Sequence, residues 1–251
     1  MNIQFPKHID WRKWISRWDR MQQRYIPARK QRFETIVQLI ADTQRKVSRI
    51  LDVGCGTGSL MLPILRTFPT AEVWGVDFDP MLLALAGKRL SKFGERAKLV
   101  EGDLRKQNWI SSVPARFDAI VSATTLHWFS PAQLSRLYKQ FARLLNSGGI
   151  FLNADHAGSR GRGIQKNWES QRRRHSQNSA ADDWDGFWNA YGKAMKVDMK
   201  DFRKKLTGAW VGSEQGLPLT WHFEKLKQAG FEMIDCFWRL DYDAIYGGIR
   251  R

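Results

Sequence analysis

Near the start of the chain the apolar residues recur every three or four positions. Trp11, Trp14, Ile15 and Trp18 fall on one face of a helix, and Phe33, Ile36, Val37 and Ile40 form the stripe of a second helix that Pro27 opens, so residues 10–46 read as helical. From Val47 the period changes. Short apolar runs at Ile50–Val53, Ala71–Asp77, Lys98–Val100, Asp118–Val121 and Ile150–Ala154 predict five strands. Helices are predicted between them: one through Leu60, Leu62 and Leu65, one over Pro80–Leu90, and an amphipathic one over Pro131–Leu145 that Asn146-Ser147-Gly148-Gly149 ends. Strands alternating with helices argue for a mainly parallel sheet covered on both faces. The alternation stops after Asp155. Residues 156–218 are too long for a connecting loop and carry a helix from Asp183 to Met195, with Trp184, Phe187, Trp188 and Tyr191 at helical spacing. That face either walls a pocket or packs as core. A helix over Leu219–Ala229 and a strand pair, Phe231–Leu240 and Tyr242–Tyr246, close the pattern. The division is an N-terminal helical arm (1–46), an α/β core (47–155 and 219–251) and an inserted helical lid (156–218).

With 251 residues, 43% of them hydrophobic, the chain has enough apolar surface for a large core, and a disordered chain is excluded. No apolar run reaches the roughly 18 residues of a membrane span, and the start lacks an apolar signal region. Two distant cysteines, Cys55 and Cys236, exclude a disulfide framework and a cysteine zinc cluster and fit a reducing cytoplasm; both read as packing residues. The five histidines, at 8, 127, 156, 175 and 222, make no close pair in sequence, and Asp182, Asp183 and Asp185 fit the acidic first turn of a helix, so no metal site is expected.

The chemistry gathers at strand ends. Leu51-Asp52-Val53-Gly54-Cys55-Gly56-Thr57-Gly58 ends the first parallel strand in a glycine loop, where the backbone turns sharply and approaches a ligand closely. Ser59 stands where a nicotinamide fingerprint has its third glycine, and no Gly-Lys-Ser/Thr follows as in a Walker loop. Asp77 ends the second strand about twenty residues on, placed for a ribose diol; Asp79, directly before Pro80, suits a helix cap. Asp103 follows the third strand, placed to accept from an exocyclic amine.

These segments, with Phe117–Val121 and Leu145–Phe151, resemble the successive motifs of the class I S-adenosylmethionine-dependent methyltransferases over roughly residues 47–155 and 219–248. The resemblance implies a Rossmann-like, seven-stranded mixed sheet whose last strand is antiparallel, and S-adenosylmethionine as cofactor. Asp52 and the loop of Gly54, Cys55, Gly56 and Gly58 would hold its methionine part, Asp77 its ribose, and Asp103 with Leu104 its adenine. Phe78 and Met81 would pack near the adenosine, with Ala123 at the end of the fourth strand. Thr124-Thr125-Leu126-His127-Trp128, the tryptophan-bearing insertion and the leading helix are similar to small-molecule methyltransferases of the trans-aconitate type. His127 then sits at the methyl-acceptor side, either taking a proton or walling the pocket, and Trp128, Trp14, Trp18 and Tyr25 are candidate acceptor contacts. No Asn/Asp-Pro-Pro-Tyr/Phe follows the fourth strand, as amino-methyltransferases of nucleic-acid bases often have.

Charge adds a competing reading. The net charge is +16, with 11 basic against 4 acidic residues in 1–47 and 12 against 7 in 156–218. An electropositive pocket mouth favours a small anionic acceptor, with transfer to oxygen. The alternative is an RNA-directed methyltransferase in which Arg172–Arg174 and Lys204-Lys205 grip phosphates. A second alternative is a binding protein that keeps the cofactor without turnover.

Overall fold

The structure, a computed structural model, describes residues 5–6, 8–177, 179–200, 202, 211–213 and 216–251. Its centre is one seven-stranded sheet in the order β3-β2-β1-β4-β5-β7-β6, made of β1 (Arg49–Val53), β2 (Glu72–Asp77), β3 (Ala97–Glu101), β4 (Phe117–Ala123), β5 (Leu145–His156), β6 (Phe231–Leu240) and β7 (Asp243–Arg250). The first five strands pair in parallel, and β7 runs antiparallel to both β5 and β6. Strand order reverses between β1 and β4, and the carboxyl ends of those two strands mark the crevice where open α/β sheets bind ligands.

Helices cover both faces. On one, Ile36 and Ile40 of α2 (Arg29–Thr43) and Ile64 of α3 (Met61–Thr67) pack on Ile50, Val73 and Leu152. On the other, Leu134 and Phe141 of α5 (Pro131–Leu144) and Leu226 of the helix at Leu219–Gln228 pack on Leu51, Ile120 and Phe151. A third cluster lies off the sheet. Trp14 and Trp18 of α1 (Trp11–Tyr25) meet Phe187, Trp188 and Tyr191 of the helix at Trp184–Met195, together with Met81 and Leu85 of α4 (Pro80–Leu90). Ring centroids stand 5.1 Å apart for Trp14–Tyr191 and 5.3 Å for Trp18–Phe187, and such pairs add about 0.5–1.5 kcal/mol each beyond burial. Arg17 pins the same contact by a forked ion pair to Asp182 at 2.9 and 3.0 Å. Numbering the remaining helices in chain order gives α6 (Arg162–Gln177), α7 (Trp184–Met195) and α8 (Leu219–Gln228). The aromatic face of α7 is therefore core, and only Trp184 stays exposed.

Several boundaries differ from the sequence pattern: β7 runs on to Arg250, four residues past Tyr246, and two others redirect the chain. Pro27 does not open α2: Ala28 takes a left-handed conformation (φ 53°), and the helix starts at Arg29, so the chain turns sharply between α1 and α2. Asn146–Gly149 do not form a loop but begin β5, where Asn146 donates to Asp118 at 2.7 Å and the register with β4 shifts. Gly148, at φ 77°, supplies the bend.

The core also holds a buried polar cluster. His222 Nδ1 lies 2.7 Å from the Tyr138 hydroxyl and 3.1 Å from that of Tyr246, which accepts from Asn153 at 2.8 Å. Burial pushes His222 down to about 4. A depressed histidine contributes stability that is present above its unfolded value, about 6.5, and is lost as pH falls through the folded one. The shift corresponds to about 3 kcal/mol. His222→Gln, with no titrating ring, therefore closes on the wild type by roughly that amount between pH 7 and pH 4. Urea unfolding of the two chains at both values measures it.

Candidate active site

The site grows from the ends of β1, β2 and β4. Gly54, Gly56 and Gly58 all have positive φ, at 69°, 52° and 69°. A Cβ on Gly54 would lie 2.1 Å from the Thr125 side chain, so the loop after β1 and the turn after β4 touch only because Gly54 has none. The Gly54 and Cys55 amides donate to Val76 of β2 at 2.8 and 3.1 Å, which ties the loop to the adjacent strand.

Asp77 is buried. Its Oδ2 accepts from the Gly56 amide at 2.8 Å and its Oδ1 from Asp79 at 2.9 Å. Burial raises its affinity for a proton, and the backbone donors of Asp79, Gly56 and Phe78 pull against that; the balance stays above the ordinary carboxylate value. Asp79 caps α4 through the Met81 and Leu82 amides at 2.8 and 3.3 Å. Asp103 accepts from the Arg105 amide and Nε at 2.9 and 2.8 Å and from its Nη2 at 3.0 Å. Partial burial raises Asp103, but Arg105's hydrogen bonds and charge outweigh it and hold the carboxyl below its usual value. A narrow cleft joins Gly54, Asp77, Phe78, Asp103 and Leu104, and Arg105, Thr125 and Phe129 complete its lining. Those last three had no role assigned from sequence. Phe129 carries no signal beyond its place after the 124–128 segment, whereas Arg105, two residues past Asp103, could have been read as its partner.

Asp52 lies below the loop, buried, with its Oδ2 lacking any hydrogen-bond partner among the described residues. Burial first, and the charge of Asp77 second, push it up to about 8. A buried carboxyl without a donor suits a cationic ligand group, and the ammonium of the cofactor's methionine part is such a group. Raised to about 8, Asp52 is mostly protonated at pH 7 in the free chain, and a cationic group bound against it would displace that proton. At pH 7, binding of S-adenosylhomocysteine should release close to one proton (about 0.9), and Asp52→Asn should abolish that release. Calorimetry in phosphate and in Tris reads the proton count from the difference in heat. Cys55 is buried with its thiol pushed well above the usual range by burial and by the neighbouring carboxylates, a packing group and not a nucleophile.

Other expected contacts are placed as follows. Met81 is fully buried in the third cluster, its carbonyl accepting from the Tyr191 hydroxyl at 3.1 Å. Trp14 and Trp18 are buried in that cluster too. The Tyr25 hydroxyl accepts from the Trp184 amide at 3.0 Å. Ala123 ends β4 and accepts from Thr125 Oγ1 at 3.2 Å. Cys236 is half-buried in β6.

His127 lies in a short turn, Leu126–Trp128, directly after β4, and is buried. Its Nδ1 stands 2.7 Å from Asp155 Oδ1, and its amide donates to Asp155 Oδ2 at 3.0 Å. Asp155 also accepts from the His156 amide at 2.8 Å. Burial works against this carboxylate's charge, but His127 and the backbone donors hold it far below the usual range. Asp155 thus stays ionised, fixes the His127 ring and assigns the proton to Nδ1, leaving Nε2 with the lone pair. The rings of Trp128 and His156 flank His127, each with its centroid at 4.5 Å. Donor atoms of His127, Asp155 and His156 come within 4.8 Å of one another, the spacing of a metal site. The Asp155 oxygens are instead spent on His127 and two amides, and the imidazoles stack rather than converge. Asp155 was not singled out from sequence, although an Asp-His pair ending an apolar strand was visible.

The expectation that Arg172 grips phosphate is corrected. Arg172 is buried, with Nη2 at 2.6 Å from Asp243 Oδ2 and Nη1 donating to the Tyr25 carbonyl at 2.8 Å, so its guanidinium is committed inside the protein. Arg173 and Arg174 are exposed. Lys204 and Lys205 lie outside the described residues. No described helix is long and apolar enough to cross a membrane.

Residues 50–149 match a family model described as a methyltransferase domain. Over 124 residues the chain is 30% identical to a trans-aconitate 2-methyltransferase of Streptomyces avermitilis, covering 49% of this chain and 45% of that one. It is 28% identical over 137 residues to a carboxy-S-adenosyl-L-methionine synthase of Campylobacter lari (55% and 56%). With a malonyl-[acyl-carrier protein] O-methyltransferase of Priestia megaterium it shares 31% over 109 residues (43% and 38%). The chain thus spans about half the length, or less, of these curated relatives. Among solved structures, the fold is shared with an O-methyltransferase family protein from Burkholderia thailandensis at a TM-score of 0.55 and 16% identity, covering 86% of this chain and 55% of that one. Human N-acetylserotonin methyltransferase in complex with S-adenosylmethionine gives 0.53 at 18% identity (94% and 57%).

Proposed function

The chain belongs to the class I S-adenosylmethionine-dependent methyltransferases, and from that premise we propose that it transfers the cofactor's methyl group to an oxygen of a small, anionic acceptor. The observation that carries this reading is the buried His127–Asp155 pair at 2.7 Å, seated at the carboxyl edge beside the glycine loop. When bound, the cofactor supplies an electrophilic methyl group on a sulfonium. The chain's part is to hold the cofactor, align the acceptor and keep water out. Asp52 faces the ammonium, Asp77 the ribose diol and Asp103 with Leu104 the adenine, and Phe78 borders the adenosine. His127 Nε2 takes the proton from an acceptor hydroxyl, and Asp155 stabilises the resulting imidazolium. Trp128 borders the acceptor position.

Residues 47–155 and 219–251 act as the cofactor-binding core, and the arm (1–46) and the inserted segment (156–218) close over its carboxyl edge. An acidic oxygen acceptor is supported by the names of two relatives, a trans-aconitate 2-methyltransferase and a malonyl-[acyl-carrier protein] O-methyltransferase, and the free acid of the first supports the small one. The test is product detection with methyl-labelled cofactor in a cell extract, separated into small-molecule, RNA and protein fractions. Label in the small-molecule fraction, on an acidic compound, is the expected result. Label in RNA overturns the acceptor class, and cofactor binding without label in any fraction makes the chain a binding protein.

A further inference from the structure

Behind His127 lies a set of buried charges that the methyl transfer described above does not use. Asp243, the first residue of β7, is fully buried and pairs in register with His156 at the end of β5. Its Oδ2 meets Arg172 Nη2 of α6 at 2.6 Å and Arg32 Nη1 of α2 at 3.4 Å. Its Oδ1 lies 3.4 Å from His156 Nε2. The His156 ring stacks on His127 with centroids 4.5 Å apart at 31°, and Tyr242 meets its other side edge-on at 5.2 Å. Arg172 also lies over the Tyr242 ring at 4.5 Å. A path of three contacts, Arg172–Asp243–His156–His127, therefore leads from the inserted helix to the base.

We propose that Asp243 is a positioning residue that makes the seating of α6 a condition for a working base: with Arg172 on its Oδ2 it leaves His156 neutral against His127, and without Arg172 His156 takes a proton and its charge bars His127 from taking one. The inference rests on the reading of His127 as the base. The groups that face His156 are His127, Asp155, Asp243, Arg32 and Tyr242, with Arg172 one contact further out, on Asp243 and over the Tyr242 ring. In the seated state burial first, then the charge His127 carries once it is protonated, and the charge of Arg32 disfavour a proton on His156, against the pull of Asp155 and Asp243, and the ring is held down at about 4. A buried carboxylate stripped of one cation needs another. When α6 lifts, Asp243 loses its closest guanidinium and keeps only the longer contact to Arg32. Two carboxylates, Asp155 and Asp243, then pull on His156 with less cationic opposition, and its affinity for a proton rises. A cation stacked on His127 opposes the imidazolium that methyl transfer must create, so the chemistry waits for closure.

The test follows the ring nitrogens of His156 and His127 by NMR in the full chain labelled with ¹⁵N, from pH 3 to pH 8, in the wild type and in Arg172→Met and Arg173→Met. In Arg172→Met the His156 midpoint should rise by one unit or more, tenfold or more in proton affinity. Arg173→Met, which removes an exposed neighbour, should match the wild type. A folded Arg172→Met with the wild-type His156 midpoint overturns the proposal. If that variant does not fold, Arg172→Met/Asp243→Asn decides, because it removes both charges together. A His156 that stays neutral in the double variant supports charge coupling through Asp243, and one that titrates near its ordinary value overturns it. No methyl acceptor is needed, so failure of the coupling is separate from failure of the base reading, which a wild-type rate in His127→Ala would show.

Discussion

His127→Ala should slow single-turnover methyl transfer on the order of 10²–10⁴-fold while leaving the affinity for S-adenosylhomocysteine almost unchanged. The split follows from where the ring sits. His127 lies after β4 and does not line the cleft that joins Gly54, Asp77 and Asp103, so loss of its ring is expected to spare the cofactor. Its Nδ1 is spent on Asp155 at 2.7 Å, which leaves Nε2 as the basic atom. Asp155→Asn tests the same unit by a different route. The amide keeps the size, but one of its two ends is a donor, and both Asp155 oxygens now accept: Oδ1 from the His127 ring and the His156 amide, Oδ2 from the His127 amide. The imidazolium would also lose its counter-charge. The expected loss is about 10²-fold or more in rate, with cofactor affinity again kept. Rapid-quench measurement with the labelled acceptor fraction reads both variants. If His127→Ala keeps its rate within about threefold, the acceptor is already ionised and His127 is a wall of the pocket.

The meeting of Gly54, Asp77 and Asp103 at one cleft was legible because its signals are local. Asp52, Gly54, Gly56 and Gly58 sit in one run, and Asp77 and Asp103 end the next two strands, so alternation of strand and helix alone places all of them on one edge. His127 was legible for the same reason. Its surroundings were not. Asp155 and His156 follow the apolar run Ile150–Ala154, but what they face depends on the β5–β7 register that puts His156 opposite Asp243. Arg172 sits in a run of three arginines, which reads as a solvated helix face. Only the docking of α6 against the end of α1, where Arg172 reaches the Tyr25 carbonyl, turns one of the three inward. Arg32 is similar: it lies on the helix that carries Ile36 and Ile40, and its burial follows from α2 crossing the end of β5, where Nη2 reaches the Ala154 carbonyl. Hydrophobic period tells which face of a helix is apolar and not which charge on its margin finds a buried partner. The reach of β5 back to Leu145 was missed on the same ground, since two glycines read as a loop while strand pairing overrode that preference.

Asp77→Ala should weaken S-adenosylhomocysteine binding by about 2–4 kcal/mol, roughly 30- to 1,000-fold. Two losses combine. A carboxylate has about four acceptor positions; here the Gly56 and Asp79 amides, with Phe78 as a third backbone donor, draw on them, and what remains is open to ribose hydroxyls. Those hydroxyls would lose charge-assisted bonds, and the Gly56 amide would lose the partner that holds the glycine loop in its turn. Asp77→Asn separates the two. Its one carbonyl oxygen can still serve a backbone amide, but the amide nitrogen cannot accept from a hydroxyl, so an intermediate loss of about tenfold is expected. The Asp52 proton provides an internal check on the same titration. Asp77 is the charge that helps to raise Asp52, so in Asp77→Ala the free chain should hold less proton there at pH 7 and release less on binding. Calorimetry of the two variants in paired buffers therefore yields two readouts at once, affinity and proton count. A variant that binds as tightly as the wild type removes Asp77 from the ribose. One that binds weakly but releases the full wild-type proton breaks the link between Asp77 and Asp52 instead.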